Sequence, residues 1–454
     1  MSDTPFLLAP AQLEDAAALA LDRAKISGAA DATAEVIEST QLSVGVRLGE
    51  IETLQHRRSK QLRISVIVDG RRAESMTSEL TPDAIESAIE AACAIARHVA
   101  PDESAGLVDA AFLARDIPDL DLFHIWLPSA EDALEIARRI ETAALDGEDL
   151  PAGTAIKAEG ARASAFHRQL CFATSRGFMA SYPSSSHYYD CGVIAERNGR
   201  MQVANWSRTA RAIDDLPAPD TIGRAARARA LAKLDARDIP TGDMPILFEG
   251  ILAMALVDPV MGAISGEAQY LSDGFYTGKL GERIFADHVS IEERPLLPRG
   301  LASRAFDAEG VATVDRDLVH RGVLQSYALS RYSAQRLGLP LTGHAGGMSN
   351  LRLVGHNTRP SDTREAMLRK LGNGLLVTDI AGGGTERTTG DCSFAVTGQR
   401  VVNGEIAHAV EGVTIAGSLP DLMREIVAIG ADEHVEQSIT SGSILVGAMR
   451  VAGR

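Results

Sequence analysis

Cysteine is scarce in this chain: four residues in 454, at Cys93, Cys171, Cys191 and Cys392, none forming a CxxC pair. That spacing excludes a disulfide scaffold and a cysteine-built zinc clasp, and makes reduced thiols the default. Long apolar stretches are missing too. The longest, Ile251 to Val257, stops at Asp258-Pro259, well short of the ~20 residues that span a bilayer. The opening MSDTPFLLAPAQLED begins with an acid and has no basic region ahead of an apolar core, so the expectation is a cytoplasmic protein without a secretory leader. There is no basic excess: 45 Lys+Arg stand against 61 Asp+Glu, a net charge of −16, which argues against nucleic-acid and anionic-membrane partners.

Catalytic signatures are equally thin. No two of the eleven histidines are one helical turn apart, so no helix can present the imidazole pair that metal-assisted hydrolysis uses. GxSxG is absent, and Gly262-Ala-Ile-Ser265-Gly266 has the wrong spacing for a nucleophile elbow. Gly382-Gly383-Gly384 follows the apolar run Leu375 to Ile380 as a phosphate loop would, but the third glycine of GxGxxG would fall on Arg387. Close approach of two backbones explains those glycines better. Asp315-Arg316-Asp317 could ligate a hard cation, yet it lies where two strand-like runs meet and is expected at a solvated hairpin tip. Cys392 follows Gly390-Asp391 in a strand-like alternation with no histidine nearby; an independent hydrolase using it as nucleophile remains one alternative.

What is present is an ordinary globular composition, 45% hydrophobic and 23% charged. Residues 11–25 place Leu13, Ala17, Ala20 and Ala24 on one helical face. Leu62, Ile64, Val66 and Val68 alternate with polar residues up to Asp69-Gly70, a hairpin signal. Thr81-Pro82-Asp83 opens a helix whose buried stripe includes Ile85, Ile89 and Cys93, and Ser129 with Asp132 forms a capping box for another. Strand-like segments fill 155–209, and an Arg/Ala-rich helix covers about 221–234. Asp235 to Asp243 reads as a linker. Beyond it, glycines and short β-like runs dominate, with an Asn403-Gly404 hairpin and two helices, 361–371 and 418–429. The fold expected is α+β: an N-terminal domain, 1–240, with antiparallel hairpins and helices, and a β-rich C-terminal domain, 241–454, with a few helices.

An ordered set of segments in the second half carries a resemblance. It comprises Gly262-Ala-Ile-Ser-Gly266, Lys279-Leu-Gly-Glu-Arg283, Ser290-Ile-Glu-Glu-Arg-Pro295, Arg299-Gly-Leu-Ala-Ser303 and Phe306-Asp-Ala-Glu-Gly-Val-Ala-Thr313. It continues through Arg336-Leu-Gly338, Thr342-Gly-His-Ala-Gly-Gly347, Gly374-Leu-Leu-Val-Thr378, Thr389-Gly-Asp391, Val402-Asn-Gly-Glu-Ile406 and Ile415-Ala-Gly417. In this order they resemble the TldD/PmbA family, once called modulators of DNA gyrase, and within it the PmbA (TldE) branch. The resemblance implies one half of a cytosolic protease complex whose TldD-like subunit is a zinc peptidase, with HExxxH on a helix and a cysteine ligand near its C-terminus. Its substrates would be unfolded or small peptides, degraded or matured in an enclosed cavity.

The chain departs from that catalytic pattern. Where the resemblance puts HExxxH it has Leu252-Ala-Met-Ala-Leu-Val-Asp-Pro-Val-Met261, with Asp258-Pro259 expected to disturb a helix, and where the cysteine belongs it has Thr440-Ser441-Gly442-Ser443. The expectation is therefore a non-catalytic subunit with no cofactor of its own, zinc residing on a TldD-like partner, and a homodimer when isolated. The loop Thr342 to Asn350 is the candidate peptide contact, through Gly343, His344, Gly346, Gly347 and Asn350, because its glycines allow close backbone approach. A homodimeric peptide-binding protein with no protease attached is the other alternative.

Overall fold

The computed structural model describes residues 4–147 and 150–453. The first half runs α1 (Pro10–Ile26), β1 (Asp31–Arg47), β2 (Glu50–Val68), β3 (Arg71–Thr77), α2 (Pro82–Ala96), α3 (Ala130–Leu145), β4 (Thr154–Thr174), β5 (Met179–Arg197), β6 (Arg200–Ala210) and α4 (Pro219–Ala232). Its strands form one antiparallel sheet in the order β3-β2-β1-β4-β5-β6. The helix starts are those the caps dictate: Thr81 accepts from Ala84 N, and Ser129 and Asp132 bond reciprocally. Asp69 and Gly70 take the positive φ their turn requires, +49° and +71°.

One face of this sheet is covered in two places. Ala32, Ala34 and Val36 of β1 pack under α1 and α2, whereas Val44 and Val46 pack with Ile140 of α3 and Ile222 of α4. Between these clusters the same face is polar and still buried, with Glu38, Thr40, His167, Gln169, Ser185 and His187. Two segments without regular secondary structure cover it. Glu38 accepts from the N–H groups of Leu7 (2.8 Å) and Leu8 (3.1 Å) and from Gln169 (2.7 Å). A strap between α2 and α3 passes over the histidines: His187 Nε2 donates to His124 O (3.1 Å), and Trp126 N–H donates to His167 Nε2 (3.2 Å).

The second half contains β7 (Gly242–Phe248), α5 (Ala253–Ala263), α6 (Gly266–Leu271), β8 (Val289–Glu293), β9 (Arg316–His320), β10 (Val323–Leu324), α7 (Arg331–Leu337), β11 (Leu351–Gly355), α8 (Arg364–Leu371) and β12 (Gly374–Thr385). It ends with β13 (Asp391–Val402), β14 (Glu405–Ser418), α9 (Leu419–Arg424), β15 (Ile426–Ile429), β16 (His434–Glu436), β17 (Ile439–Ser441) and β18 (Ile444–Ala452). One sheet has the order β10-β9-β8-β11-β17-β16. The other, β14-β13-β12-β7-β18-β15, also pairs β14 with β18 and so closes into a barrel. The large core of this half includes Phe248, Leu256, Phe285 and Ile415. The overall α+β class is as the sequence indicates.

Four local expectations are corrected. Residues 418–429 do not form one helix: α9 ends at Arg424, and Ile426–Ile429 form β15 against β18. Burial of Ile426, Ala428 and Ile429 on that strand outweighs the propensity that would extend the helix. The 361–371 helix begins at Arg364, where Thr363 caps it. Pro259 sits inside α5 rather than breaking it. The lost backbone bond and ring clash cost ~3 kcal/mol, less than the combined gain from burying Leu256, Val257, Val260 and Met261 at roughly 1.5–3 kcal/mol apiece. Arg316 and Asp317 open β9 rather than a hairpin tip, with Asp317 accepting from Arg294 at 3.2 Å; the turn lies at Arg321-Gly322. Gly382–Gly384 lie within β12; a Cβ on Gly383 would come 2.0 Å from Ser393 O, so close backbone approach explains that glycine, whereas a Cβ on Gly382 or Gly384 would meet nothing within 4 Å.

Candidate functional site

Two segments far apart in sequence meet at the start of α5. The turn Gly250–Leu252 leads into the helix, and Gly250 lies so close to β17 that a Cβ there would fall 2.4 Å from Ser441 O. The structure therefore places Leu252–Met261 beside Thr440–Ser443, the two stretches that differ from the zinc-ligand pattern. Their chemistry does not fit a zinc ion. Ser441 is fully buried and its Oγ donates to Gly442 O at 2.8 Å; Ser443 donates to Asp432 through both N and Oγ, each at 2.9 Å. Leu252 of the turn and Met254 of the helix pack against the core. Neither imidazole nor thiolate is supplied, and among the described residues no three His, Cys, Asp or Glu side chains are grouped to hold a metal ion.

The glycine-rich loop is a second feature, tied down from three sides. His344, buried, donates from Nε2 to Glu293 at 2.7 Å, with its Nδ1 2.8 Å from Thr342 Oγ1. The other Glu293 oxygen accepts from Ser349 N–H at 2.8 Å. Asp307 accepts from Ala345 N–H at 2.9 Å and from Glu309 and Val311; its carboxyl is nonetheless raised above the ordinary range because burial outweighs these donors. Arg304 donates to the carbonyls of Ala345, Gly346 and Gly347, and its buried Nε has no partner among the described residues. Asn350 accepts from Ala302 N–H at 3.0 Å and donates to Arg294 O and Ser303 Oγ. Of the five residues singled out from sequence, His344 and Asn350 thus hold the loop's shape, Gly343 is buried at φ +73°, and Gly346 and Gly347 form the exposed surface.

A third feature was not legible in the sequence. Where α4 of the first half meets the second half, a cavity of about 330 Å³ is lined by Trp206, Arg229, Lys233, Glu249, Arg364 and Gln399 among others. Glu249, immediately before the turn into α5, accepts from Arg229 at 2.9 Å and Arg364 at 3.2 Å. Arg208 and Arg229 stack on Trp206, 4.2 and 5.0 Å from the ring centre. Trp206, Arg229, Arg364 and Gln399 come from β6, α4, α8 and β13, and Lys233 and Glu249 from the segments just after α4 and β7, so no local motif announces them.

Cys392 is buried in β13, and burial pushes its thiol up to about 11. A thiol so protonated near neutrality is a poor nucleophile. No helix among the described residues is long and apolar enough to cross a membrane.

Family profiles for the PmbA/TldA metallopeptidase match the chain in three stretches: domain 1 at 32–96, the central domain at 123–234 and the C-terminal domain at 241–453. The chain is 38% identical to the metalloprotease PmbA of Escherichia coli O157:H7 over 97% of its own length and 96% of that protein's. A crystal structure from Bacteroides thetaiotaomicron, titled as a DNA gyrase modulator, superposes with a TM-score of 0.90 at 25% identity, covering 97% of this chain and 99% of that one. TldE from Thermococcus kodakarensis has a TM-score of 0.82 at 18% identity, with 96% and 100% covered, a likeness of fold.

Proposed function

This chain belongs to the PmbA/TldD metallopeptidase family, and from that premise we propose that it is a non-catalytic, PmbA/TldE-type subunit. Its partner is a TldD-like zinc peptidase, and together they enclose small or unfolded peptides for degradation or maturation. The observation that carries this reading is the chemistry at the start of α5. The helix and the β17 turn are in contact, yet the stretch Leu252–Met261 holds no histidine and Thr440–Ser443 no cysteine with which to hold zinc. A subunit of related fold that holds no metal can still cap a partner's open cleft, exclude water from it and restrict entry to extended chains. In this chain the Glu293, Asp307 and Arg304 contacts fix the Gly346-Gly347 surface in place, so the loop meets a peptide without first being ordered.

The test is to dialyse the purified full chain against zinc, then measure its metal content and its hydrolysis of an unfolded peptide, alone and mixed with a TldD-like subunit. Neither zinc retention nor turnover is expected from the chain alone, and both are expected from the mixture. Stoichiometric zinc and chelator-sensitive turnover by the chain alone would refute the reading. Loss of turnover on Cys392→Ser, without chelator sensitivity, would favour a thiol hydrolase instead.

A further inference from the structure

The cavity between α4 and the barrel has three properties that together define a ligand. First, it keeps surplus positive charge in a chain of net charge −16. Arg229 and Arg364 share the single carboxylate of Glu249, while Lys233 is matched by Asp379 at 2.7 Å. Arg229 is further engaged with Thr378 O at 2.6 Å; among the described residues Arg364 has the 3.2 Å contact as its one hydrogen bond, lies close enough to the exposed Glu365 to lower its pKa, and has a side chain 42% exposed. The exposed part of that side chain can meet a second anion.

Second, Gln399 lines the cavity, is 8% exposed, and its Oε1 has no hydrogen-bond partner among the described residues. A buried amide oxygen left unpaired is destabilising, so this position favours a ligand that brings an N–H. Third, Ala225, Ala228 and Ala232 of α4 form a wall of small side chains beside these polar groups, leaving room for an apolar side chain of modest size.

We propose that this cavity binds the C-terminal end of a peptide. The free carboxylate pairs with Arg364, the last peptide N–H donates to Gln399 Oε1, and the terminal side chain rests on the alanine wall. A bare phosphate or dicarboxylate would satisfy the guanidinium but leave Gln399 unpaired, and an internal peptide segment would satisfy Gln399 but bring no charge. The proposal rests on the reading of this chain as a peptide-handling subunit and adds to it a preference for chain ends.

The experiment is calorimetric titration of the full chain, at low salt, with millimolar N-acetyl-trialanine and with its C-terminal amide. The acid should bind about tenfold or more tighter than the amide, as the loss of one charge-assisted hydrogen bond predicts. Arg364→Gln should bring the acid down to the level of the amide. Gln399→Leu should weaken both ligands while leaving the unfolding temperature unchanged or raised, since the carboxamide oxygen has no partner to lose. Equal binding of acid and amide, binding of neither, or an Arg364→Gln variant that still prefers the acid would overturn the proposal. So would displacement of the acid by inorganic phosphate at equal concentration, which would make this a general anion site. A zinc-bearing complex that forms normally but shows no carboxylate preference would overturn this inference alone and leave the subunit reading standing.

Discussion

Acid should destabilise this protein through one histidine in particular. His167 is 1% exposed beneath the strap, accepts a hydrogen bond from Trp126 N–H at 3.2 Å, and has the ring of His187 5.4 Å away. Burial, then the neighbouring His187, lowers its pKa from 6.5 to about 4. Above pH 6.5 neither the folded nor the unfolded state holds a proton at this site. As pH falls from 6.5 towards 4 only the unfolded state takes one up, so stability drops; below about 4 both are protonated and the loss is complete. At 1.36 kcal/mol per pKa unit, the shift is worth about 3 kcal/mol. His187, also lowered by burial, acts in the same direction. The assay is urea unfolding of the native protein and of His167→Gln at steps from pH 7.5 to 4. Glutamine keeps an acceptor near the Trp126 N–H but cannot titrate, so the variant should lose about 3 kcal/mol less than the native chain over that interval. Parallel stability curves for the two proteins would refute the argument.

Other consequences follow from contacts already described. Glu293→Ala should cost about 3 kcal/mol, because it leaves His344 and the Ser349 N–H without their acceptor; it should also make the Gly346-Gly347 peptide groups exchange hydrogen faster, and unchanged exchange there would contradict the anchoring role. Gly250→Ala should lower stability by about 1–3 kcal/mol, since the added Cβ meets Ser441 O at 2.4 Å; thermal unfolding measures it, and a neutral outcome would mean that α5 and β17 are not held as tightly as drawn. Native Cys392 should resist alkylation at pH 7.5 and react only on unfolding, because its thiol is buried and pushed up to about 11; rapid native labelling would reopen the thiol reading.

Local signals in the sequence account for much of the first half. The caps at Thr81 and Ser129 and the Asp69-Gly70 turn act within a few residues, and the chain obeys them. Positions whose fate depends on distant partners were not legible. Ile426–Ile429 could continue a helix until β18 is beside them. Pro259 reads as a helix breaker because the core that rewards Leu256 and Val260 is assembled from other segments. The same limit applies to the candidate sites. The loop 342–350 stood out for its glycines, but the burial of His344 and Asn350 depends on Glu293 and Ser303, which lie tens of residues upstream. Trp206, Arg229, Arg364 and Gln399 carry no local pattern, since four separate elements bring them together.

The most direct test of the subunit assignment is native mass spectrometry with metal analysis on the tagged full chain recovered from its own host's lysate. The account predicts a mixed complex containing a TldD-like chain and zinc, with the zinc leaving when that chain is removed. A homo-oligomer of this chain carrying stoichiometric zinc would contradict it.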